Sequence, residues 1–200
     1  VHLGIPGRHN VMNALAAATV AMRYGMAPET VARILASQHT ISPHRMALST
    51  VNREGTSFTL IDDSFNANPD SMKAGLNGLK AWNSNDGKEP FRVALLGAML
   101  ELGADETALH TSIGTYADEL GIDAIIAVGS AQDQHLDALA QALADGARQS
   151  QSASVDCVHD IDAAEQLVID LARNHPDAVV LLKGSHASGL SALAERWAKN

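Results

Sequence analysis

Cysteine is almost missing from these 200 residues: Cys157 stands alone. No internal disulfide framework can form, and a reducing cytoplasm is the expected compartment. Positive charge is also in short supply. Fourteen Lys and Arg face 23 Asp and Glu, a net charge of −9 with a pI near 5.3. That balance excludes the footprint of a nucleic-acid binder or of a protein held on an anionic membrane. No apolar run approaches the roughly 20 residues of a membrane span. Val1–Leu35 has neither the charged start nor the cleavage region of a signal peptide. Aromatic side chains make up only 4 %, and small residues dominate instead. What is present suits a folded core: 46 % of residues are hydrophobic and 18 % charged, so disorder is excluded. The length fits one ordinary domain, or one domain and part of another.

The texture changes along the chain. Val11, Leu15, Ala18 and Met22 fall at helical spacing, with Asn10 as the expected N-cap and Gly25 as the stop. A second helix is expected from Pro28, carrying Val31, Ile34 and Leu35 inward. His39–His44, with Ser42 and Pro43 inside it, resists helix continuation. A domain boundary is therefore expected there, separating residues 1–41 from 42–200. Beyond it, Met46–Val51 and Ser57–Ile61 flank a polar turn and read as a hairpin. Arg92–Leu96, Ala124–Val128, Val155–Val158 and Ala178–Leu182 read as further strands. Amphipathic helices are expected at about 69–81, 106–120, 132–147, 161–174 and 189–198. Short apolar strands alternating with helices predict a Rossmann-like α/β domain, its mostly parallel sheet covered by helices on both faces. Asn83–Glu89 and Ala147–Ala153 read as the softest surface loops.

Open parallel sheets bind ligands beyond the carboxyl ends of their strands. That rule selects Asp62–Pro69, Gly97–Gly103, Val128–Ala131 and Lys183–Gly189 before any motif is consulted. In the first segment, Asn68 and Asp70 are accounted for by helix capping and the helix dipole. Adjacent Asp62 and Asp63 are not. Strand alternation lets one of them face solvent while the other points across the sheet end, where a carboxylate suits ribose hydroxyls. The segment Lys183-Gly184-Ser185-His186-Ala187-Ser188-Gly189 is either a flexible connector or a turn presenting N–H groups and a lysine to an anion. His186 alone reads as a surface histidine. Several familiar signatures are missing. No Gly-Lys-Thr or Gly-Lys-Ser occurs, Gly97–Gly103 lacks the dinucleotide spacing, and Ser64, Ser71 and Ser185 sit in no nucleophile elbow. The nine histidines show no zinc spacing, and Cys157 reads as a buried, inert thiol.

Longer motifs point to a family. Gly7-Arg8-His9-Asn10-Val11-Met12-Asn13-Ala14-Leu15-Ala16-Ala17 resembles the G-x-H-N-x-x-N-A-L-A-A motif that closes the central ATPase domain of Mur ligases. His44-Arg45-Met46 is similar to the arginine motif opening their C-terminal domain. Asp62-Asp63-Ser64-Phe65-Asn66-Ala67-Asn68-Pro69-Asp70-Ser71-Met72 resembles a D-D-x-Y-N-A-N-P-D-S-M signature, and Leu96–Gly103 with His110 beyond continues the match. The N-A-N-P-D-S-M segment resembles members that add D-alanyl-D-alanine to a UDP-N-acetylmuramoyl-tripeptide. Sister ligases carry a D-Y-A-H-x-P-D loop instead.

The resemblance implies an ATP-driven amide synthesis, in which ATP phosphorylates the precursor's carboxylate and the dipeptide amine attacks the acyl phosphate. It implies that Asn10 and Asn13 lie near adenine, that Arg45 contacts the ATP phosphates as the catalytic residue, and that Asp63 holds the ribose. Phe65, Asn66 and Asn68 are expected in the same cleft, Asn66 toward nucleotide and Asn68 toward substrate. Lys183 and Ser185 match the loop facing the incoming substrate. These residue types suit the roles: amides read base edges, a guanidinium suits phosphate, and a carboxylate accepts hydroxyl bonds. The partners implied are small molecules alone, with no nucleic acid and no membrane insertion. The family's substrate domain, phosphate loop, Mg2+ ligands and modified lysine would all precede Val1, so the chain resembles a C-terminal portion, expected to be inactive by itself. Three positions depart from the pattern: Phe65 replaces a tyrosine, Ala98 an acidic residue and His186 an arginine. The alternatives are the ligase adding the third residue, a folylpolyglutamate synthase, or a non-catalytic nucleotide-binding module.

Overall fold

In the computed structural model, which describes residues 2–3, 8–38, 43–83, 89–149 and 153–199, the chain divides into two units, Val1–Arg45 and Met46–Asn200. The expected boundary between residues 41 and 42 lies outside the described residues. So do the middles of the two expected soft loops.

The first unit holds α1 (Arg8–Arg23) and α2 (Pro28–Ser37). Gly25 ends α1 as expected, at φ +91°. Its N–H donates to the carbonyl of Met22, and the Met26 N–H donates to that of Ala21, each at 3.0 Å. This double closure satisfies carbonyls that the helix end leaves unpaired. Two expectations are corrected. The helix starts two residues before Asn10, so Asn10 is a buried residue of its first turn and not its cap. In α2 only Val31 is buried, while Ile34 keeps 39 % of its surface exposed. Val11, Leu15 and Met22 also remain exposed: two helices alone have too little facing surface to cover their apolar stripes.

The second unit runs β1 (Ala47–Arg53), β2 (Thr56–Asp63), α3 (Pro69–Lys80), β3 (Arg92–Gly97), α4 (Glu106–Glu119), β4 (Ala124–Val128), α5 (Gln134–Ala147), β5 (Ser154–Val158), α6 (Ile161–Asn174), β6 (Val179–Lys183) and α7 (Leu190–Ala198). Short 3-10 turns at Gly103–Asp105 and His186–Ser188 precede α4 and α7. The strands form one sheet ordered β1-β2-β6-β3-β4-β5, in which only the β1–β2 pair is antiparallel. That pair turns through Glu54 and Gly55, both at positive φ, as a tight hairpin requires.

Both faces of the sheet are covered, as expected. Met72, Leu76 and Leu79 of α3, Ile113 and Ala117 of α4, and Leu143 of α5 pack with Ile61, Leu96, Ile125 and Leu181 on one face. Val168 of α6 and Leu190, Leu193 and Trp197 of α7 pack with Phe58, Leu60, Leu95, Ile126 and Leu182 on the other. Double-sided burial is why β3, β4 and β6 are continuous apolar runs. After β5 the chain returns through α6 to insert β6 between β2 and β3. The carboxyl ends of β2, β6 and β3 therefore lie side by side at the position where an open sheet of this kind takes its ligand.

Candidate functional site

Along β2, successive side chains point to opposite faces, so Asp62 and Asp63 part company. Asp62 is buried, and Asp63 is the one left partly open to solvent, with 17 % of its side-chain surface exposed. Asp62 lies beside Leu182, and its Oδ1 accepts from the Ser64 hydroxyl at 2.6 Å and the Ser64 N–H at 3.2 Å. Asp63 pairs in register with Lys183 on β6. The Lys183 ammonium donates to its Oδ2 at 2.6 Å, and the Met46 N–H donates to Oδ1 at 3.3 Å. Among the described residues each oxygen of Asp63 thus has one hydrogen-bond partner. A carboxylate offers about four lone-pair sites, so acceptor capacity remains for hydroxyl groups.

Lys183 is the unusual member of this group. Only 2 % of its surface is exposed, and a buried ammonium is tolerated only when paired and hydrogen-bonded. Besides Asp63 Oδ2, it donates to the main-chain carbonyls of Asn66 at 3.2 Å and Asp63 at 3.5 Å. Its aliphatic stem crosses under α3 at Gly75, where a Cβ would stand 2.8 Å from the lysine Cδ. A glycine inside a helix costs roughly 1 kcal/mol relative to alanine, and here it makes room for that stem. Lys183 therefore ties the segment after β2 to the centre of the sheet.

That segment is organised residue by residue. The side-chain oxygen of Asn66 accepts the Ala67 N–H at 2.8 Å. Asn68 caps α3 as expected: its Oδ1 accepts the Ser71 N–H at 2.8 Å, while its own N–H donates to Ser71 Oγ at 3.0 Å. This reciprocal pair satisfies two donors of the helix start. Phe65, Asn66 and Asn68 all remain exposed. In the loop after β6 Ser185 is buried, with its N–H on the carbonyl of Ala98 at 2.9 Å. Among the described residues its hydroxyl has no hydrogen-bond partner. A buried, unpaired hydroxyl is costly and is the kind of group a ligand satisfies. His186 is exposed, as expected of a surface histidine, with Nδ1 at 3.2 Å from Ser191 Oγ.

The structure thus joins Asp63, Asn66 and Lys183 by direct bonds, with Ser185 two residues beyond Lys183. Asn10, Asn13 and Arg45 belong to the first unit, where Asn10 is buried in α1 while Asn13, one turn on, and Arg45 are exposed. Cys157 is half-buried on the edge strand β5 and not buried as expected, because an edge strand is covered on fewer sides, and what burial there is raises its thiol pKa. Among the described residues no group of three or more His, Cys, Asp or Glu side chains could hold a metal ion. No described helix is long and apolar enough to cross a membrane. Sequence reasoning missed the burial of Lys183, although Gly75 inside an amphipathic helix was a signal of close approach.

Comparison with known proteins bears on the same residues. Residues 44–186 match the family described as Mur ligase, glutamate ligase domain. A UDP-N-acetylmuramoyl-tripeptide–D-alanyl-D-alanine ligase of Mycobacterium tuberculosis is 39 % identical over 201 residues, covering 98 % of this chain and 39 % of the relative. The crystal structure of MurF from Acinetobacter baumannii superposes on the whole chain with a TM-score of 0.79 and 27 % identity, over 40 % of its own length. A Thermotoga maritima MurF ligase in complex with ADP covers 98 % of the chain with a TM-score of 0.66 and 21 % identity, a likeness of fold. The chain spans about two fifths of the length of these relatives.

Proposed function

This chain belongs to the Mur ligase family through its glutamate ligase domain, and from that premise we propose that it serves a ligase joining D-alanyl-D-alanine to UDP-N-acetylmuramoyl-tripeptide at the expense of ATP. The observation that carries this reading is the position of the family-specific segment Asp62–Met72. It leaves the carboxyl end of β2 beside the point where β6 re-enters the sheet, where open α/β sheets bind ligands.

In this reading the precursor's terminal carboxylate attacks the γ-phosphorus of ATP, ADP leaves, and an acyl phosphate forms. The dipeptide amine then attacks the acyl carbon, the C–O bond to phosphate breaks, and the amine proton is lost as the amide forms. Asn10 and Asn13 recognise adenine, Asp63 accepts bonds from the ribose hydroxyls, and Asn66 lines the same part of the cleft. Arg45 stabilises charge on the phosphates. Asn68, Lys183 and Ser185 serve the incoming substrate, Lys183 by holding the Asp63–Asn66 segment and Ser185 by its unpaired hydroxyl. Mg2+ belongs to ATP chemistry of this kind. The described residues do not fit a metal site, so no step is assigned to it. A cytoplasmic location accords with the lone cysteine.

The 200 residues contain no Gly-Lys-Thr or Gly-Lys-Ser phosphate loop, and phosphoryl transfer depends on the electrostatic stabilisation that such parts supply. Phosphate release by the isolated chain is therefore expected at background. The complete ligase should release phosphate only when the tripeptide precursor, D-alanyl-D-alanine and ATP are all present. Turnover by the 200 residues alone, or a complete enzyme that prefers glutamate with a folate, would overturn the proposal.

A further inference from the structure

One peptide unit at the carboxyl end of β3 is bonded at both of its polar ends. The carbonyl oxygen of Ala98 accepts the Ser185 N–H at 2.9 Å. The N–H of Met99, which belongs to the same peptide, donates to Nε2 of His110 at 2.9 Å. His110 lies on α4 with no exposed surface, and its Nδ1 stands 2.7 Å from the carbonyl oxygen of Glu106. A carbonyl only accepts, so Nδ1 carries the ring proton and Nε2 is a bare acceptor for Met99. Burial lowers the His110 pKa, in keeping with a neutral ring. Both ring nitrogens are committed to main chain.

An amide is planar, so orienting its N–H also orients its C=O. A rotation of the 98–99 plane that released His110 would swing the Ala98 carbonyl away from Ser185. We propose that His110 is a positioning residue for the Gly184–Gly189 loop: through the Ala98–Met99 peptide it fixes the main chain of Ser185, and with it the place of the Ser185 hydroxyl. The inference rests on the reading of Ser185 as a substrate-binding residue. It adds a residue that touches no substrate and acts across two loops far apart in sequence. Ala98 and Met99 are themselves buried, so the plane has packed side chains on either side and little freedom to tilt without breaking a bond.

Amide hydrogen exchange of the 200-residue chain tests the coupling. In His110→Leu, which keeps the apolar bulk and loses the acceptor, Met99 and Ser185 should both lose about tenfold in protection. Ile125 and Ile126 in β4 should keep theirs. His110→Gln, whose Oε1 can accept in place of Nε2, should restore both amides. Loss of protection at Met99 while Ser185 keeps the wild-type value would overturn the proposal, because the plane would then transmit nothing. If His110→Leu does not fold, the wild-type chain supplies the same test by acidification. Protonation at Nε2 sets a donor against the Met99 N–H, so both amides should loosen together, at the pH where the ring's own NMR shifts report its titration. The titratable groups facing the ring are Glu106 on α4, which favours protonation, and His135 on α5, which opposes it; His135→Gln should move that midpoint upward. Separate midpoints for Met99 and Ser185 would overturn the coupling.

In the complete ligase, His110→Leu should raise the dipeptide KM about tenfold with the ATP KM unchanged, and His110→Gln should recover it. If the Ser185 amide loosens and the dipeptide KM does not move, the assignment of Ser185 to substrate fails and the coupling stands. If the KM moves while Ser185 stays protected, the coupling fails.

Discussion

Asp63 and Glu165 are two carboxylates held by cations on opposite faces of one sheet, and they are held in opposite ways. Glu165, buried on α6, accepts from Arg196 at 2.6 Å and from the Trp197 indole at 2.9 Å, with Arg53 at 3.2 Å. Both of its arginines keep part of their surface in water, and Arg196 also reaches Asp162 at 2.7 Å. Asp63 has Lys183, a cation almost wholly removed from water whose remaining bonds go to carbonyls of the segment after β2. The Glu165 network joins β1, α6 and α7, and α7 already packs on the sheet through Trp197, whose ring meets Phe58 of β2 edge to face at 5.2 Å. The Asp63–Lys183 pair instead anchors an irregular segment with few apolar anchors of its own. A buried ion pair gives little net stability against an apolar replacement, but breaking one is costly. Its use at Asp63 is to fix loop geometry; its use at Glu165 is to join helices.

Substitutions can break that comparison. The largest loss is expected for Lys183→Met, which keeps the apolar stem and leaves Asp63 charged without its cation: about 3 kcal/mol in urea denaturation. Adding Asp63→Asn should recover most of it. Next comes Gly75→Ala, which places a methyl against the lysine stem and should cost about 2 kcal/mol by overpacking, more than an alanine gains in helix propensity. Glu165→Gln keeps an acceptor for Trp197 and leaves two arginines that water can solvate, so about 1 kcal/mol is expected from the same measurement. A Glu165 variant that costs as much as Lys183→Met would erase the distinction.

The smallest effect is that of pH through His110. Its pKa is lowered in the folded chain, so below the ordinary value of 6.5 the unfolded chain binds the proton first. The stability contributed by the neutral ring is full above that value and declines as pH falls through it toward the folded pKa. Thermal melts between about pH 7.5 and 5 should show this as a decline that His110→Gln lacks. An equal decline in that variant would assign the effect to other groups.

Much of this architecture was readable in the chain. The runs at Arg92–Leu96 and Ala124–Val128 are apolar on both faces because helices cover both, and every expected strand and helix of the second unit lies within two residues of its observed bounds. The Asn68 cap and the Gly25 stop were readable because each acts on its immediate neighbours. What failed depends on distance or on context. Lys183 and Asp63 lie 120 residues apart and meet only because β6 enters beside β2. Strand alternation parts the two aspartates as expected, but Lys183 leaves Asp63 only partly open to solvent while Ser64 covers Asp62. Asn10 looked like a cap because its residue type suits one, but the helix had already begun at Arg8. Ile34 has the right spacing for a core residue, yet spacing says nothing of what lies opposite, and 39 % of it stays exposed.

The central claim is that the Asp63 side of the sheet serves nucleotide and substrate while the Glu165 side serves the fold. Steady-state kinetics of the complete ligase carrying Asp63→Ala or Glu165→Gln, at a temperature where both remain folded, tests it most directly. The account predicts an ATP KM raised about tenfold with a smaller change in kcat for Asp63→Ala, since ribose binding is largely uniform between ground and transition states, and wild-type constants for Glu165→Gln. Unchanged kinetics in both variants, with Asp63→Ala merely melting earlier, would contradict it.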